Sequence, residues 1–355
     1  MGVGRSTRTR RRSPWWAKLC LVLGIVLVVT SGGSIAAGSI VLVWVNAKLH
    51  QDNLLTDSSR THDGEVTGPL DILLAGSDLR DSWIKAGKKP RADSIMWLHI
   101  PASHDRAYLL SLARDLVVDI PAYRHSGWSG GRDRLNSAFT HGMSGVNDTA
   151  NGMRLLGQTI SNLTGVRFDM AGLVNWDGFT AVTTALGGVT MCLDKGFTST
   201  QKGFTDERVT FYQGCHHYKA KKALKLVRQR EDVIGDDYGR QRLQQQFVKQ
   251  ILKQATSRGV VGNPGKLNKV LDAAGDSITL DLGGYQVAEL AFALRGIRQD
   301  QIVTMQPPHD SIGSGRHYRG ESVEQPAADR LFTALRTGHI DGLLLAHPEL
   351  ISKVP

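Results

Sequence analysis

The chain has 355 residues, 41% of them hydrophobic and 21% charged, enough to bury a sizeable core. A formal net charge of +10 would suit a nucleic-acid binder, but residues 1–18 hold five arginines, one lysine and no acid, which leaves about +4 over the other 337 residues. That distribution excludes a broad basic face and makes the N-terminal cluster topogenic.

Directly after it, residues 19–45 form an uncharged run of 27 residues. At about 1.5 Å per residue a helix of that length exceeds a hydrocarbon core of about 30 Å. Trp15, Trp16 and Trp44 sit where interfacial aromatics belong, and the arginines predict a cytoplasmic N-terminus. The expectation is an uncleaved single span in the cell membrane, with everything after it outside; a cleaved signal peptide is the rival. Residues 46–67 are polar and read as a juxtamembrane linker, and 68–345 as one extracellular domain.

Strand-like and helix-like segments then alternate. LDILLAG (70–76) reads as a buried strand, and SIMWLHI (94–100) and AYLLSLA (107–113) as a hairpin. Residues 150–164 have helical spacing through Met153, Leu156, Ile160 and Leu163. A strand at 168–176 precedes a helix at 177–186 with Asp177 as N-cap and Gly187 as stop. Further elements are a strand at 189–194, helices at 219–227 and 239–256, helices at 266–274 and 284–295, a strand at 302–306 and a helix at 326–337. Strands interleaved with helices imply an α/β or α+β three-layer domain.

Cys20 lies in the apolar run, which leaves Cys192 and Cys215 in a compartment that permits oxidation. A disulfide closing a loop of about 24 residues is one reading; two buried free thiols are the other. His216-His217 has no second ligand cluster and reads as a surface turn. Gly127-Trp128-Ser129-Gly130-Gly131 matches G-x-S-x-G, but neither a strand before it nor a helix after it is predicted, so a glycine-rich loop is the better reading.

The charged positions fall at informative places. Asp78 and Arg80 follow the first strand, Arg91 and Asp93 precede the second, and Arg114 and Asp115 end the third. Each pair alone reads as a surface salt bridge. Three at strand ends suggest a site, since ligands of α/β sheets gather there. The stretch 227–247, VRQREDVIGDDYGRQRLQQQF, adds Arg228 and Arg230, which share a face if extended, and Arg240 and Gln244, which share a helix face near an N-terminus. Arginine suits bidentate phosphate binding, and carboxylates among arginines suit a divalent metal on a phosphate.

In order along the chain, GSDLR (76–80), RADS (91–94), SLARDLVVDIP (111–121), RLNSAF (134–139), LTGVRFD (163–169), DGFTAVTTALGGVTMCL (177–193), ALKLVRQR (223–230) and GDDYGRQRLQQQF (235–247) resemble the LytR-CpsA-Psr family, in its actinobacterial form. The resemblance covers about 70–256 and extends to the single N-terminal span. It implies an α/β/α domain around a central mixed sheet. It implies a magnesium- or manganese-dependent phosphotransferase, which moves a glycopolymer from a polyprenyl-pyrophosphate carrier to peptidoglycan. Asp78 and Asp93 would hold the metal. Arg114, Arg228 and Arg230 would clamp the pyrophosphate, with Arg240, Gln244, Arg80 and Arg91 around it. Asp237 would orient arginines or help deprotonate the acceptor, acting with Asp93 and Arg114. Two departures stand out: Ala113 occupies a position where the family has proline, and Leu243 a position where it has arginine, with Arg242 displaced beside it. The bilayer, the lipid-linked glycan and peptidoglycan are the implied partners, and nucleic acid is not. A pyrophosphatase using water, or an anchored binding protein, are the alternatives.

Overall fold

The structure is a computed structural model that describes residues 50–55, 66–79, 81–199, 208–230, 233–255, 278–286 and 293–352, with isolated positions between 269 and 290. The apolar run at 19–45, most of the helix expected at 266–274 and part of that at 284–295 lie outside the described residues. Among the described residues no helix is long and apolar enough to cross a membrane.

In chain order the elements are β1 (His50–Gln51), β2 (Leu70–Ser77), α1 (Asp81–Lys85), β3 (Ala92–Ile100), β4 (Ala107–Ser111), β5 (Val117–Ile120), β6 (Gly131–Arg134), α2 (Leu135–Gly142), α3 (Thr149–Thr164), β7 (Met170–Val174), α4 (Trp176–Ala185), β8 (Val189–Leu193), β9 (Phe197–Thr198), β10 (Thr210–Phe211), β11 (Gly214–Tyr218), α5 (Ala220–Val227), α6 (Asp236–Ala255), β12 (Ile278–Asp281), β13 (Ile302–Met305), β14 (His309–Ile312), β15 (Gly320–Val323), α7 (Ala327–Thr337) and α8 (Ile340–Ala346).

A seven-stranded sheet runs β1-β12-β7-β2-β3-β4-β13. β2 pairs antiparallel with β3, and β3 with β4, while β2 pairs parallel with β7 and β4 with β13, so the sheet is mixed. The period of two in β2, β3 and β4 sorts their side chains to opposite faces. Leu73, Ala75, Ile95, Trp97, Tyr108 and Leu110 pack under α2, α3 and α7. Ile72, Leu74, Met96, Leu98 and Leu109 face the other way, toward Val248 of α6 and the segment around Tyr285 and Leu290. Both faces are therefore covered, which is why these strands read as near-continuous apolar runs rather than alternating ones. A satellite core joins α5, α6, β8 and β11 around Met191, Phe211, Leu226 and Leu243.

Several sequence expectations change. His50 and Gln51, read as linker, pair with Thr279 and Leu280, and Leu54 and Leu55 are buried with their N–H groups donating to Asp281 Oδ2 at 2.9 and 3.1 Å. Two leucines in a polar stretch were too weak a signal to read as core. The N-cap of α4 is Asn175, whose side chain accepts from Gly178 N, rather than Asp177. Helix α6 begins at Asp236, three residues before Gly239. A Cβ at Gly239 would lie 2.4 Å from the Ile234 carbonyl, so that glycine admits the preceding loop and does not mark a start. Past residue 345 the chain still packs, with Ile351 bridging to Met305.

Candidate functional site

β2 and β4 run one way and β3 the other, so the end of β2, the start of β3 and the end of β4 share one edge of the sheet. That edge carries Asp78, Asp93 and Arg114. Beside it, α5 ends at Arg228 and α6 begins at Asp236. Between them lies a cavity of about 640 Å³ lined by Asp78, Asp93, Arg114, Arg228, Arg230, Arg240 and Gln244 at one end. Leu74, Met96, Val174, Phe179, Phe247 and Val248 line the other.

The charged end is tightly connected. Arg114 Nη1 donates to Asp93 Oδ1 at 2.5 Å, and its Nε lies 3.6 Å from Asp115 Oδ2 and 3.7 Å from Asp237 Oδ1. Asp237 also meets Arg230 Nε at 3.2 Å and Arg240 Nη2 at 2.8 Å. Three guanidinium groups thus converge on one carboxylate that stands behind the cavity wall. Burial lowers the pKa of Arg114, but Asp93, Asp115 and Asp237 outweigh it and hold the pKa above the ordinary arginine value. Arg240 is more deeply buried, and desolvation, opposed by Asp237, pushes it down to about 10, still charged at neutral pH. Among the described residues four arginines and two aspartates line the cavity, a net charge of +2 that favours an anion.

The predicted residues divide as follows. Seven line the cavity, and Asp237 fixes three of the arginines from behind. Arg228 ends α5 in a helical conformation rather than an extended one, yet it and Arg230 both reach the cavity. Arg91 is exposed and outside the lining; its backbone N–H donates to Asp78 Oδ1 at 2.8 Å. Arg80 lies outside the described residues. Arg242 is two positions from Arg240, roughly 200° around the helix, and it donates to the Ile234 carbonyl away from the cavity. Leu243 belongs to the satellite core. Cys192 and Cys215 are disulfide-bonded across the β8–β11 pair, and Gln246 brackets this pair by hydrogen-bonding both Cys192 N and Cys192 O. Ser129 is exposed in the β5–β6 turn, with a strand rather than a helix after it, which removes the nucleophile-elbow reading. His216 and His217 bond the carbonyls of Gln213 and Gly187 in a surface strand.

Trp176 was missed. Its ring lies 3.7 Å from the Arg228 guanidinium carbon, a cation–π contact that holds the arginine over the cavity. The signal was available as a tryptophan at a strand–helix junction, but an aromatic ending an apolar strand reads as core. Phe179 and Phe247, stacked at 4.0 Å, came from helices recognised for their apolar faces; that the faces leave a cavity between them is visible only in three dimensions.

Among the described residues no group of three or more histidine, cysteine, aspartate or glutamate side chains could hold a metal. Asp78 and Asp93 alone suit Mg²⁺, which binds one or two carboxylates and takes its other ligands from water and phosphate oxygens.

Residues 41–337 match the LytR_cpsA_psr family. The probable cell wall biosynthesis protein LcpB of Corynebacterium glutamicum is 29% identical over 334 residues, 89% of this chain and 69% of LcpB. The polyisoprenyl-teichoic acid–peptidoglycan teichoic acid transferase TagU of Oceanobacillus iheyensis is 27% identical over 309 residues, covering 84% of this chain and 86% of TagU. The crystal structure of gbs0355 from Streptococcus agalactiae superposes with a TM-score of 0.62 at 19% identity, over 77% of this chain and 88% of that one, a likeness of fold.

Proposed function

The chain belongs to the LytR_cpsA_psr family, and on that footing we propose that it transfers a glycopolymer from a polyprenyl-pyrophosphate carrier to peptidoglycan. The observation that carries this reading is the two-part cavity: a net-positive end beside an apolar end in one continuous space. A pyrophosphate bearing a long apolar chain has that same division. The transferase name of the relative TagU supports the reaction class.

In the proposed reaction an acceptor hydroxyl oxygen attacks the phosphorus bound to the glycan. The P–O bond to the second phosphate breaks and polyprenyl phosphate leaves with the bonding pair. A glycan–phosphate–peptidoglycan diester remains. Arg114, Arg228, Arg230 and Arg240 neutralise charge growing on the phosphate oxygens, and Gln244 adds a donor. Asp237 keeps three of these arginines in place before substrate arrives, so little reorganisation is left for the reaction itself. A carboxylate within hydrogen-bond reach of the hydroxyl accepts its proton. Mg²⁺ on Asp78 and Asp93 would supply further charge neutralisation. Residues 19–45 anchor the domain outside the cytoplasmic membrane, where its lipid-linked donor also resides, which raises their effective concentration.

The test incubates the full chain in vesicles with a polyprenyl-pyrophosphate glycan, a peptidoglycan fragment and Mg²⁺. A phosphodiester-linked product with polyprenyl phosphate released supports the reading. Free glycan phosphate, formed whether or not acceptor is present, would show water as the acceptor instead.

A further inference from the structure

In-line displacement puts the attacking oxygen and the leaving phosphate on opposite sides of the phosphorus. The leaving polyprenyl phosphate stays with its chain, and the apolar end is lined from β2, β3, β7, α4, α5 and α6. In the order β7-β2-β3-β4 the end of β4 lies beyond the other three strands, on the opposite side from β7. Arg114 and Asp115 stand at that far side. We infer that the acceptor enters there, over a surface made by Arg134, Tyr318 and the β14–β15 loop, and that this surface takes a saccharide bearing free carboxylates. The inference rests on the proposed reaction for its direction of attack.

The surface is built onto the site. Arg134 Nη1 lies 3.5 Å from Asp115 Oδ1, the oxygen other than the one Arg114 meets, and its guanidinium lies 5.8 Å from the Tyr318 ring. Glu321, buried beneath, accepts from Tyr318 OH at 2.9 Å and from Ser311 Oγ at 3.1 Å, so the phenol is held rather than swinging freely. The hairpin sits directly on the Arg114–Asp115 turn: Glu321 N donates to Asp115 O at 2.9 Å. A Cβ at Gly320, where φ is +141°, would fall 2.6 Å from that carbonyl, so only glycine permits the approach.

Its charge suits an anion. The loop between the strands, GSGRHYR at 313–319, contains no acid and exposes Arg316, His317 and Arg319. The nearest buried carboxylates are already paired, Asp115 with Arg114 and Arg134, and Glu321 with the hydroxyls of Ser311 and Tyr318. Arginine forks match carboxylates, and a fixed tyrosine offers an amphipathic ring face to a sugar.

The test titrates the full chain in detergent with a peptidoglycan disaccharide-peptide, and in parallel with the same fragment amidated at its carboxylates. The surface requires that amidation weaken binding at least tenfold. Arg134→Ala should weaken the unmodified fragment similarly, with Arg134→Lys recovering part. Arg316→Ala with Arg319→Ala, both at exposed positions, should do the same while affinity for polyprenyl pyrophosphate is unchanged. In the transfer assay these variants should raise the KM for acceptor with kcat retained. Equal binding of both fragments, or wild-type binding by both sets of variants, would overturn the inference. Loss of fragment binding in the variants, alongside a wild-type chain that transfers nothing, would keep the surface and refute the reaction; transfer with an unaltered acceptor KM in the variants would do the reverse.

Discussion

At the lower end of β2, Asp71 is 3% exposed, accepts from Trp97 Nε1 at 2.8 Å and His99 Nδ1 at 2.7 Å, and gives its own N–H to Asp169 Oδ2 at 2.7 Å. Seven residues up the chain, Asp78 stands with Asp93 at the edge of a cavity where arginines outnumber acids. The two ends use similar residue types. At the lower end Asp71 ties Trp97, His99 and Asp169 together in the core, although His99 Nε2 is left without a partner among the described residues. At the upper end a positive surplus faces an opening, and the carboxylates hold cations in place without cancelling them. A buried cluster closed on itself contributes to stability, whereas a preorganised one whose surplus charge faces an opening contributes to binding.

Substitutions separate the ends. Arg228→Ala should lower transfer by roughly 10²–10³-fold while leaving the denaturant midpoint close to wild type, as expected for loss of preorganised electrostatic stabilisation. Asp71→Ala should do the opposite: it strands Trp97 Nε1 and His99 Nδ1 in the core and should cost about 3 kcal/mol in urea unfolding, with pyrophosphate affinity of the folded fraction intact. If Asp71→Ala weakened binding as much as Arg228→Ala, the division would be wrong.

Smaller effects sharpen the picture. Cys192→Ser with Cys215→Ser should cost up to about 3 kcal/mol by the loop-closure estimate, read as a lower thermal midpoint. Phe247→Leu, which removes the stack on Phe179, should cost about 1 kcal/mol and weaken long-chain polyprenyl pyrophosphate more than inorganic pyrophosphate. Equal loss for both ligands would place the chain outside the apolar end.

Much of the fold was legible because the central strands are buried on both faces and the long helices have clear apolar stripes. β1 and β12 were not, since two- and four-residue strands carry too little pattern, and they join residues 50–51 to 278–281 across the whole domain. Asp78, Asp93, Arg114, Arg228, Arg230, Arg240 and Gln244, singled out by motif order, line one cavity; the sheet edge brings the first three together and the α5–α6 junction the others. Arg91 shows where position along the chain misleads: it lies next to the start of β3 but contacts Asp78 through its backbone. Trp176 escaped because an aromatic ending an apolar strand reads as core, while its cation–π partner Arg228 lies far along the chain.

The central claim is that one cavity holds both the pyrophosphate and its chain. The most direct measurement titrates the full chain, wild type and Arg228→Ala, with polyprenyl pyrophosphate and with polyprenol lacking phosphate. The account predicts tight binding of the pyrophosphate by the wild type, at least tenfold weaker binding by Arg228→Ala, and weak, equal binding of polyprenol by both. Equal affinity of the two proteins for polyprenyl pyrophosphate would contradict it.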